Sequence, residues 1–476
     1  MRAPLFLLTL FVPSALWAGD SVTGTTQTFK SPNGVTESCV RITPVPGGSY
    51  SKRDLKDEAA LCSIDFYAPQ IALCPKTWST SPGTAIYDIS EGPYTGDRVA
   101  FERRACKEGK SAKSLAKDRI AKFKSTMNQK GTSGTFSAAS LLYYHFSRYF
   151  DTTVKVPVAV WRTMDKDAHL SEVAEHGLAI SGGSHGGRMN HEGWRAFVAA
   201  DKNPNSYKPT DDLFTKDRKQ VYGAILDSPG RRYGSEINGT RKSGWGKGQN
   251  RDFQETPAFL ALRSEKPLAE AIAEGLKQGR QDRQINKDLG PNVSDRQMVF
   301  WMKELTEIVL LDFIFSQQDR VGNIDYTPYW YWTESGSVKH KKVNHHEAGK
   351  SGIPDSAILL HRTNLNDNDA GGRVAYANFA KSTQMLEKMR HFGPETYKRL
   401  VRLNADFEQK GPLFEWLSTS LGLTDRQVAQ VVKNTALALD ILAATCSAGK
   451  LQFDLDPITF FSSGAAKPAR LACDAS

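Results

Sequence analysis

Four polar residues that could take part in catalysis lie within seven positions, directly after a strongly apolar run. They occur in FIFSQQDRVGNIDY, residues 313–326, as Asp319, Arg320, Asn323 and Asp325. Transfer of a phosphoryl group needs a carboxylate that orients the attacking hydroxyl, and oxygen ligands for Mg²⁺ or Mn²⁺. Asp319 suits the catalytic role, and Asn323 suits metal binding.

A second acidic loop supplies further oxygen ligands. SAILLHRTNLNDNDAGGR predicts a strand over residues 357–360, followed by Asp367 and Asp369 and then by two glycines that allow a ligand to approach the backbone. We assign Asp367 and Asp369 as metal ligands beside Asn323. A phosphoryl donor also needs a lysine at its phosphates. RIAKFKS, in the first half of the chain, offers Lys124 and Lys122 for this cofactor-binding role.

The elements around these loops predict an α+β fold. RQMVFWMKELTEIVLLDFIF, just before Ser316, has apolar residues on most faces and predicts a buried helix. Such a helix can hold Asp319 with the accuracy that catalysis requires. Short β-like runs fill residues 61–106, including DRVAFERRAC, whereas helical patterns dominate from Pro257 onward. The first half is therefore predicted to be strand-rich and the second half mainly helical.

The domain prediction follows from this change in pattern. Residues 1–18 are predicted to be a signal peptide, 19–60 an irregular segment, 61–220 a β-rich N-terminal lobe with one helix, and 221–476 a hinge and a helical C-terminal lobe. The signal peptide rests on the apolar stretch from Leu5 to Val12 and on the small residues that end at Ala18. Because no uninterrupted apolar run of about 18 residues occurs, no membrane span is expected.

The cysteines and the charge add to the expected location. Six cysteines in an exported chain predict up to three disulfides, four of these residues lying before residue 110 and two near the C-terminus, with the pairing open. A secreted or periplasmic protein is therefore expected. The net charge of +10 is compatible with an anionic ligand, but no Lys/Arg block is long enough to indicate nucleic acid.

The order of these segments resembles that of the secretory-pathway kinases of the Golgi casein kinase and four-jointed type. AKFKS resembles their lysine strand, and ASLLYYHFSRYFDTTVKVPVAVWR resembles their helix and following strand. LLDFIFSQQDR resembles the helix that leads into Asp-Arg-His, LLHRTNLNDNDAGG the metal-binding Asp-Asn-Gly loop, and MRHFGPETYKRL the helix after it. The resemblance covers residues 115–403 with gaps, and the order of the motifs carries it.

The resemblance implies a bilobal protein-kinase-like fold and a kinase-like transferase. It implies that Lys124 binds the phosphates of ATP or another nucleotide, that Asp319 orients the acceptor, and that Asn323 and Asp367 hold Mg²⁺ or Mn²⁺. The acceptor would be a hydroxyl of a protein or a glycan. Since an exported protein meets little ATP, an unusual donor is one of the options.

Three departures from the kinase pattern leave a catalytically inactive binding module open. Asn323 follows Asp319 by four residues rather than the usual five, so Asp325 is an alternative metal ligand. Val321 stands where the family has histidine. Ser140 aligns with the helix glutamate that pairs with the lysine, and Glu102 and Glu108 are the alternative partners of Lys124.

Two simpler interpretations compete with the kinase-like one. Asp319 and Arg320 could form an ion pair at a helix end, and residues 367–369 could be an ordinary turn. A serine hydrolase is the other alternative, because Gly182, Ser184 and Gly186 fit G-x-S-x-G, a turn between a strand and a helix. The preceding run LAIS is short for a central strand, and no alternation of parallel strands and helices surrounds it.

Overall fold

The computed structural model describes residues 22–183, 187–208, 212–227, 230–343 and 352–473. Two antiparallel sheets are formed by strands with the following bounds: β1 Gly24–Lys30, β2 Thr36–Ile42, β3 Ile71–Pro75, β4 Thr84–Asp88, β5 Asp118–Ser125, β6 Ala159–Asp165, β7 Gln220–Leu226, β8 Arg231–Arg232, β9 Ile324–Glu334, β10 Ser337–Lys342 and β11 Ile358–Leu365. The first seven form one sheet in the order β1-β2-β6-β7-β5-β4-β3, and β8 to β11 form the other.

Helices dominate the second half of the described chain. Their bounds are α1 Lys52–Cys62, α2 Arg98–Arg104, α3 Ser137–Phe150, α4 Lys166–Ala168, α5 Glu175–Ser181, α6 Gly187–Lys202, α7 Ser235–Asn238, α8 Lys247–Phe253, α9 Pro257–Leu262, α10 Leu268–Gly279, α11 Arg283–Leu289, α12 Asp295–Ile314, α13 Phe379–Ser382, α14 Pro394–Glu408, α15 Pro412–Thr419, α16 Asp425–Ser447 and α17 Pro457–Ser463. The predicted α+β class, with a β-rich first half and a helical second half, is confirmed.

Strand β5 carries the two predicted lysines into the interior of the molecule. It pairs with β4 on one side and with β7 on the other. Because side chains alternate between the faces of a strand, Ala121 and Phe123 enter one hydrophobic core, while Lys122 and Lys124 share the opposite face. Helix α3 packs against β6 and β7 in the same lobe.

Helix α12 is buried along almost its whole length, as its apolar pattern predicts. Ser294 caps its N-terminus by accepting a hydrogen bond from the backbone amide of Gln297. The chain leaves the helix at Phe315 and turns sharply at Ser316, which has a left-handed backbone (φ +53°). The polar loop that contains Asp319 therefore starts from a fixed point in the core.

Three disulfides connect the six cysteines. Cys39 pairs with Cys62, and Cys74 pairs with Cys106, both within the N-terminal lobe. Cys446 pairs with Cys473 and ties the C-terminal segment to α16. The predicted disulfide count is confirmed, and these pairs give the connectivity that the sequence leaves open.

The structure corrects two assignments of the N-terminal half. Residues 19–60 are not irregular throughout, because β1 and β2 form a hairpin and α1 follows. The hairpin escapes detection because β1 is almost fully exposed and lacks alternating apolar residues. DRVAFERRAC is helical, since Asp97 caps α2 at Ala100 and Phe101 provides its buried contact. The predicted limits of the lobes stay predictions.

Within the described residues, one helix, α16, has the length and apolar character that could cross a membrane. Several of its side chains are buried against the rest of the protein, including Val428, Val431, Leu439 and Leu442. Its last turn carries the disulfide to Cys473.

Candidate active site

A polar cavity of about 380 Å³ lies where the two sheets approach each other, and all the predicted site residues except Lys124 line it. Its acidic lining residues are Asp319, Asp325, Asp367 and Asp369. Its basic lining residues are Lys76, Lys110, Arg119, Lys122 and Arg232. Asn323 and Asn366 contribute amide groups. Segments far apart in the sequence therefore build one charged site.

Lys124 lies at the centre of the charge network. Its Nζ donates to Asp369 Oδ1 at 2.7 Å and to Asp367 Oδ1 at 2.9 Å. The Lys124 side chain is 3% exposed, and the Asp369 side chain 5%. Burial alone would lower the pKa of Lys124, but the two carboxylates outweigh it and raise that pKa. The amine is therefore held in its charged form.

The contacts with Asp367 and Asp369 identify the partners of Lys124, which the sequence left open. Ser140, which aligns with the usual glutamate, is a buried residue of α3. Glu102 is engaged elsewhere, because it accepts from Arg98 Nε and from the backbone amide of Leu73, each at 2.8 Å. The suggestion that Glu102 pairs with Lys124 is therefore wrong in this structure. Two aspartates, rather than a helix glutamate, hold the lysine.

The loop after β11 places the two aspartates. Asp367 has a left-handed backbone (φ +49°), which turns the chain into a short 3₁₀ segment, Asn368–Ala370. The carbonyl oxygen of Asp369 accepts a hydrogen bond from the Phe136 amide, 2.6 Å away, at the start of α3. Burial would raise the pKa of Asp367, but the charges of Lys124, Lys122 and Lys76 lower it. Asp367 is therefore ionised, and its side chain is 35% exposed.

Arg320 connects the loop that contains Asp319 with the loop that contains Asp367. It forms an ion pair with Asp312 of α12 at 2.9 Å, and Asp312 also accepts a hydrogen bond from the Tyr143 hydroxyl at 2.6 Å. Arg320 Nη1 donates to the Asn366 carbonyl at 2.6 Å, and Nη2 also donates to Asn368 Oδ1 at 3.0 Å. The alternative of an Asp319–Arg320 ion pair is thus wrong, because Arg320 turns inward and fixes both loops.

Asp319 lies half-buried at the edge of the cavity. Its Oδ1 accepts a hydrogen bond from the indole nitrogen of Trp245 at 3.2 Å. The Asn323 amide donates to the Asp319 carbonyl oxygen at 2.8 Å, which closes the loop on itself. Burial raises the pKa of Asp319; the Trp245 hydrogen bond lowers it, and the charge of Asp367 raises it further. A raised pKa makes this carboxylate a better proton acceptor than an exposed one.

Arg232 is a site residue that the sequence analysis missed. It belongs to β8, a strand of two residues, and pairs with β9 opposite Asp325. It donates to Asn323 Oδ1 at 2.7 Å and to Asp325 Oδ1 at 2.5 Å. Asp325 also accepts a hydrogen bond from Asn366. Arg231 and Arg232 lie in a polar stretch without hydrophobic periodicity. Only the pairing of β8 with β9 therefore identifies Arg232 as a site residue.

Lys76 was also missed, and it forms part of the upper wall of the cavity. It starts the roof loop, residues 76–83, which joins β3 to β4 and closes with a backbone hydrogen bond from Lys76 to Gly83 at 2.7 Å. Burial and then the charges of Lys124 and Lys122 lower the pKa of Lys76 to about 7. Burial and Lys124 likewise lower the pKa of Lys122 to about 8. Both lysines therefore hold their protons less tightly than exposed lysines do.

The roof loop is attached to α6. The Lys76 carbonyl accepts hydrogen bonds from Asn190 Nδ2 at 3.0 Å and from Trp194 Nε1 at 3.4 Å. A Cβ atom at Gly193 would meet Pro82 of the roof loop at 2.8 Å, so a residue without a side chain is needed at this contact. The roof is therefore held in place without a ligand.

The donor set suits a hard divalent cation only in part. Carboxylate and amide oxygens are the ligands that Mg²⁺ prefers, and Asp367 and Asp369 fit this requirement. Both are paired with Lys124, however, and Asn323 Oδ1 is held by Arg232. Across the described ranges, no group of three or more His, Cys, Asp or Glu residues is arranged to hold a metal.

The serine hydrolase alternative finds no support in the described part of its motif. LAIS is the end of helix α5 rather than a strand, so the strand of the expected turn is missing there. Gly182 lies just after this helix, whereas Ser184 and Gly186 are outside the described residues.

Three solved structures have a similar fold. The crystal structure of the Golgi casein kinase aligns over 85% of this chain and 80% of its own, with a TM-score of 0.40 and 11% identity. A structure of the Golgi casein kinase with Mn/ADP bound covers 83% and 77%, with a TM-score of 0.40 and 11% identity. Hydra Fam20 with sugar covers 80% and 86%, with a TM-score of 0.37 and 12% identity.

The Golgi casein kinase is one of the secretory-pathway kinases whose order of motifs the sequence resembles. No protein-family model matches the chain, and no curated protein matches it. The residues of the chain itself are therefore the evidence on its function.

Proposed function

We propose that this protein is an exported kinase-like transferase that moves a phosphoryl group from ATP or another nucleotide to a hydroxyl of a protein or a glycan. The observation that carries the proposal is that Asp319, Asp367 and Asp369 line one cavity and that the last two bind buried Lys124, so that three separate segments meet. A phosphate-binding cation, metal-binding oxygens and a carboxylate for the acceptor are the parts that phosphoryl transfer needs.

In this proposal Lys124 binds the donor phosphates. The amine now lies between two carboxylates, and phosphate oxygens of the donor would provide it with equivalent charged partners. Its contacts with Asp367 and Asp369, which line the cavity, keep the amine protonated before a donor binds. The ion pairs therefore prepare the site for an anion.

Asp319 receives the proton of the acceptor. The hydroxyl oxygen of the acceptor forms a bond to the terminal phosphorus while the bond from that phosphorus to the bridging oxygen breaks. The hydroxyl proton passes to the Asp319 carboxylate, and the nucleoside diphosphate leaves with the electron pair of the broken bond. Trp245 and Asn323 fix the orientation of Asp319 for this step.

Asp367 and Asp369 would hold Mg²⁺ or Mn²⁺, which neutralises charge on the donor phosphates when bound. Asn323 can join them only if its oxygen is released by Arg232, 2.7 Å away. Asp325 is the alternative ligand, and it too is paired with Arg232. Arg232 therefore competes with a metal for the same oxygens.

A matched pair of variants tests the proposal. Transfer of ³²P from labelled ATP is measured with Mg²⁺ or Mn²⁺, with casein and a mixed glycan preparation as acceptors. Asp319→Asn should abolish transfer and retain the thermal shift that ATP produces, because this residue serves the acceptor. Asp440→Asn, on the exposed face of α16, is the control and should behave as the wild type. Unchanged transfer by Asp319→Asn would overturn the assignment.

A catalytically inactive binding module is the second candidate. The observation that favours it is the engagement of Asn323 by Arg232, together with buried Val321 where the family has histidine. A module of this kind would show a thermal shift with ATP and no transfer under any metal. The same two measurements therefore separate the candidates.

A further inference from the structure

An exposed aromatic side chain lies beside Asp319. Trp245 is 66% exposed, the largest fraction for a large apolar side chain among the described residues, and its indole nitrogen donates to Asp319 Oδ1 at 3.2 Å. The ring of buried Phe379 supports the indole edge-on, with ring centres 5.5 Å apart. Because tryptophan is usually well buried, a ring held in solvent beside the proposed proton acceptor points to a contact with the substrate.

The backbone on both sides of Trp245 is fixed by hydrogen bonds. The Gly244 carbonyl accepts from the Gln249 amide at 2.7 Å, and the Gly246 carbonyl accepts from Asn250 Nδ2 at 2.8 Å. A ring on a fixed segment loses little freedom when a ligand stacks on it. Trp245 is therefore a flat apolar surface that is in place before a ligand binds.

Arg241 brings a positive charge to the loop that contains Asp319. A Cβ atom at Gly322, three residues after Asp319, would lie 2.7 Å from Arg241 Nη1 and 3.5 Å from Arg241 Cζ, so the guanidinium lies against this loop. Gly322 is itself fixed, because its amide donates to Asn238 Oδ1 at 3.0 Å. Arg241 is exposed, and its guanidinium forms no hydrogen bond or ion pair with any residue in the described part of the chain. It is therefore available to an anionic group of a ligand.

A single small unit has to provide the partners of both side chains. Trp245 and Arg241 contact Asp319 and Gly322, which belong to one turn closed by the hydrogen bond from Asn323 Nδ2 to the Asp319 carbonyl. A uronic acid meets both requirements, because the C–H face of its ring stacks on an indole and its carboxylate can form two parallel hydrogen bonds to a guanidinium. An extended acidic peptide usually binds along a strand edge, and residues 239–246 contain no strand.

We propose that the acceptor is a uronic acid sugar, which stacks on Trp245 and places its carboxylate on Arg241. A ring hydroxyl then gives its proton to Asp319 while its oxygen forms the bond to the terminal phosphorus of the donor, and the nucleoside diphosphate leaves with the electron pair of the broken bond. The inference rests on the proposed function for this transfer, whereas the binding of the sugar can be measured without it. Trp245 and Arg241 thus determine which acceptor is used.

Two sugars that differ only at carbon 6 test the proposal on the full-length protein. Methyl β-glucuronide and methyl β-glucoside are titrated without nucleotide, and binding is followed by saturation-transfer NMR. The wild type should bind the glucuronide about 10- to 100-fold more tightly, because the neutral sugar cannot form the charge-assisted pair. Arg241→Met should remove this preference. Lys242→Met is the matched control, since Lys242 pairs with Asp282 at 2.7 Å, and it should keep the preference.

Two variants of Trp245 test the stacking separately from the charge. Trp245→Ala removes the ring and should weaken both sugars by about tenfold, which leaves the preference for the glucuronide unchanged. Trp245→Phe keeps an aromatic ring and should bind each sugar within about threefold of the wild type. Circular dichroism verifies the fold of every variant. With ATP present, kcat/KM for transfer to the two sugars should follow the same order as their affinities.

Three results would overturn the proposal. The first is equal affinity of the wild type for the two sugars, and the second is a preference for the glucuronide that persists in Arg241→Met. The third is transfer to an acidic serine peptide that Arg241→Met weakens, with neither sugar bound, which would assign this surface to a protein acceptor and leave the proposed function in place. Selective binding of the glucuronide without transfer to any acceptor would instead reject the proposed function and retain the sugar site.

Discussion

The indole nitrogen of Trp245 lies 3.2 Å from a carboxylate oxygen of Asp319, and the Trp245 residue is nevertheless 66% exposed. The indole also packs edge-on against Phe379, with ring centres 5.5 Å apart. The segment before it is anchored by Ser243, whose backbone amide and hydroxyl donate to Asp252 at 2.8 and 2.7 Å. An exposed tryptophan is thus fixed beside the carboxylate that we assign to the acceptor.

We expect Trp245→Phe to lower the kcat of transfer by about tenfold, because the hydrogen bond that orients Asp319 is lost. The Kd for ATP should not change, since Trp245 is not among the described residues that line the cavity. Initial rates and calorimetry measure the two quantities. Phe379→Leu, which keeps the Trp245 donor, is the matched control. Equal kcat in Trp245→Phe and wild type would contradict the positioning role.

Lys124 and Lys76 should have opposite effects on the stability of the ligand-free protein. Lys124→Met leaves two aspartates without their buried partner and should lower the free energy of unfolding by about 3 to 5 kcal/mol. Lys76→Met removes a cation that burial and two neighbouring lysines disfavour, and it should raise the melting temperature. Differential scanning calorimetry measures the stability of both variants. A decrease in both variants would mean that Lys76 is a structural cation.

The stabilisation by Lys76→Met should depend on pH. The pKa of Lys76 is about 7 in the folded protein and near its ordinary value of 10.5 when unfolded. The unfolded chain therefore binds more protons between these values, so the penalty from Lys76 is full below pH 7 and disappears as the pH rises towards 10.5. Lys122, Lys124, Asp367 and Asp369 set the local charge. Urea unfolding at pH 6.5 and 9.5 should show a larger difference between variant and wild type at the lower pH.

The buried Arg320–Asp312 pair should be essential for keeping the two polar loops together. Asp312→Ala leaves Arg320 charged and unpaired in the core, and we expect it to lower the free energy of unfolding by about 3 to 5 kcal/mol. The double variant Asp312→Leu with Arg320→Met should lose less, because no isolated charge remains. Urea unfolding curves test this. Equal losses in both variants would show that the ion pair is not the cause.

The Cys74–Cys106 disulfide should affect the cavity as well as stability. It joins β3, at the start of the roof loop, to the 3₁₀ segment Ala105–Leu115 that carries Lys110. Replacing both cysteines by serine should cost about 2 to 5 kcal/mol of stability and weaken ATP binding. Removal of Cys446–Cys473, at the other end of the chain, is the matched control. It should lower stability without changing the Kd, and a similar loss of affinity in both would contradict the local effect.

Local patterns in the sequence predicted the elements that begin each polar loop. Helix α12 before Asp319 and β11 before Asp367 were readable from their apolar residues, whereas the strand that carries Lys124 was expected from the resemblance to the kinases. The partners of these residues were not, because they depend on contacts between distant segments. Lys124 and Asp369 are 245 residues apart, and Arg232 and Asn323 are 91 apart.

Some site residues carried no usable signal. Lys76 begins a loop of polar residues, and its significance comes from burial beside two other lysines. Trp245 belongs to a glycine-rich stretch, and its hydrogen bond to Asp319 spans 74 residues. Residue type and spacing cannot reveal contacts of this kind, because the packing of the lobes determines which distant residues touch.

The attachment of the roof loop to α6 also bears on kinetics. A roof that is fixed before binding costs little ordering entropy, so association should be fast. The same contacts from Asn190 and Trp194 should also hold the roof loop while the product is bound. We therefore expect the residence time of the product, rather than the chemical step, to limit the turnover of this protein.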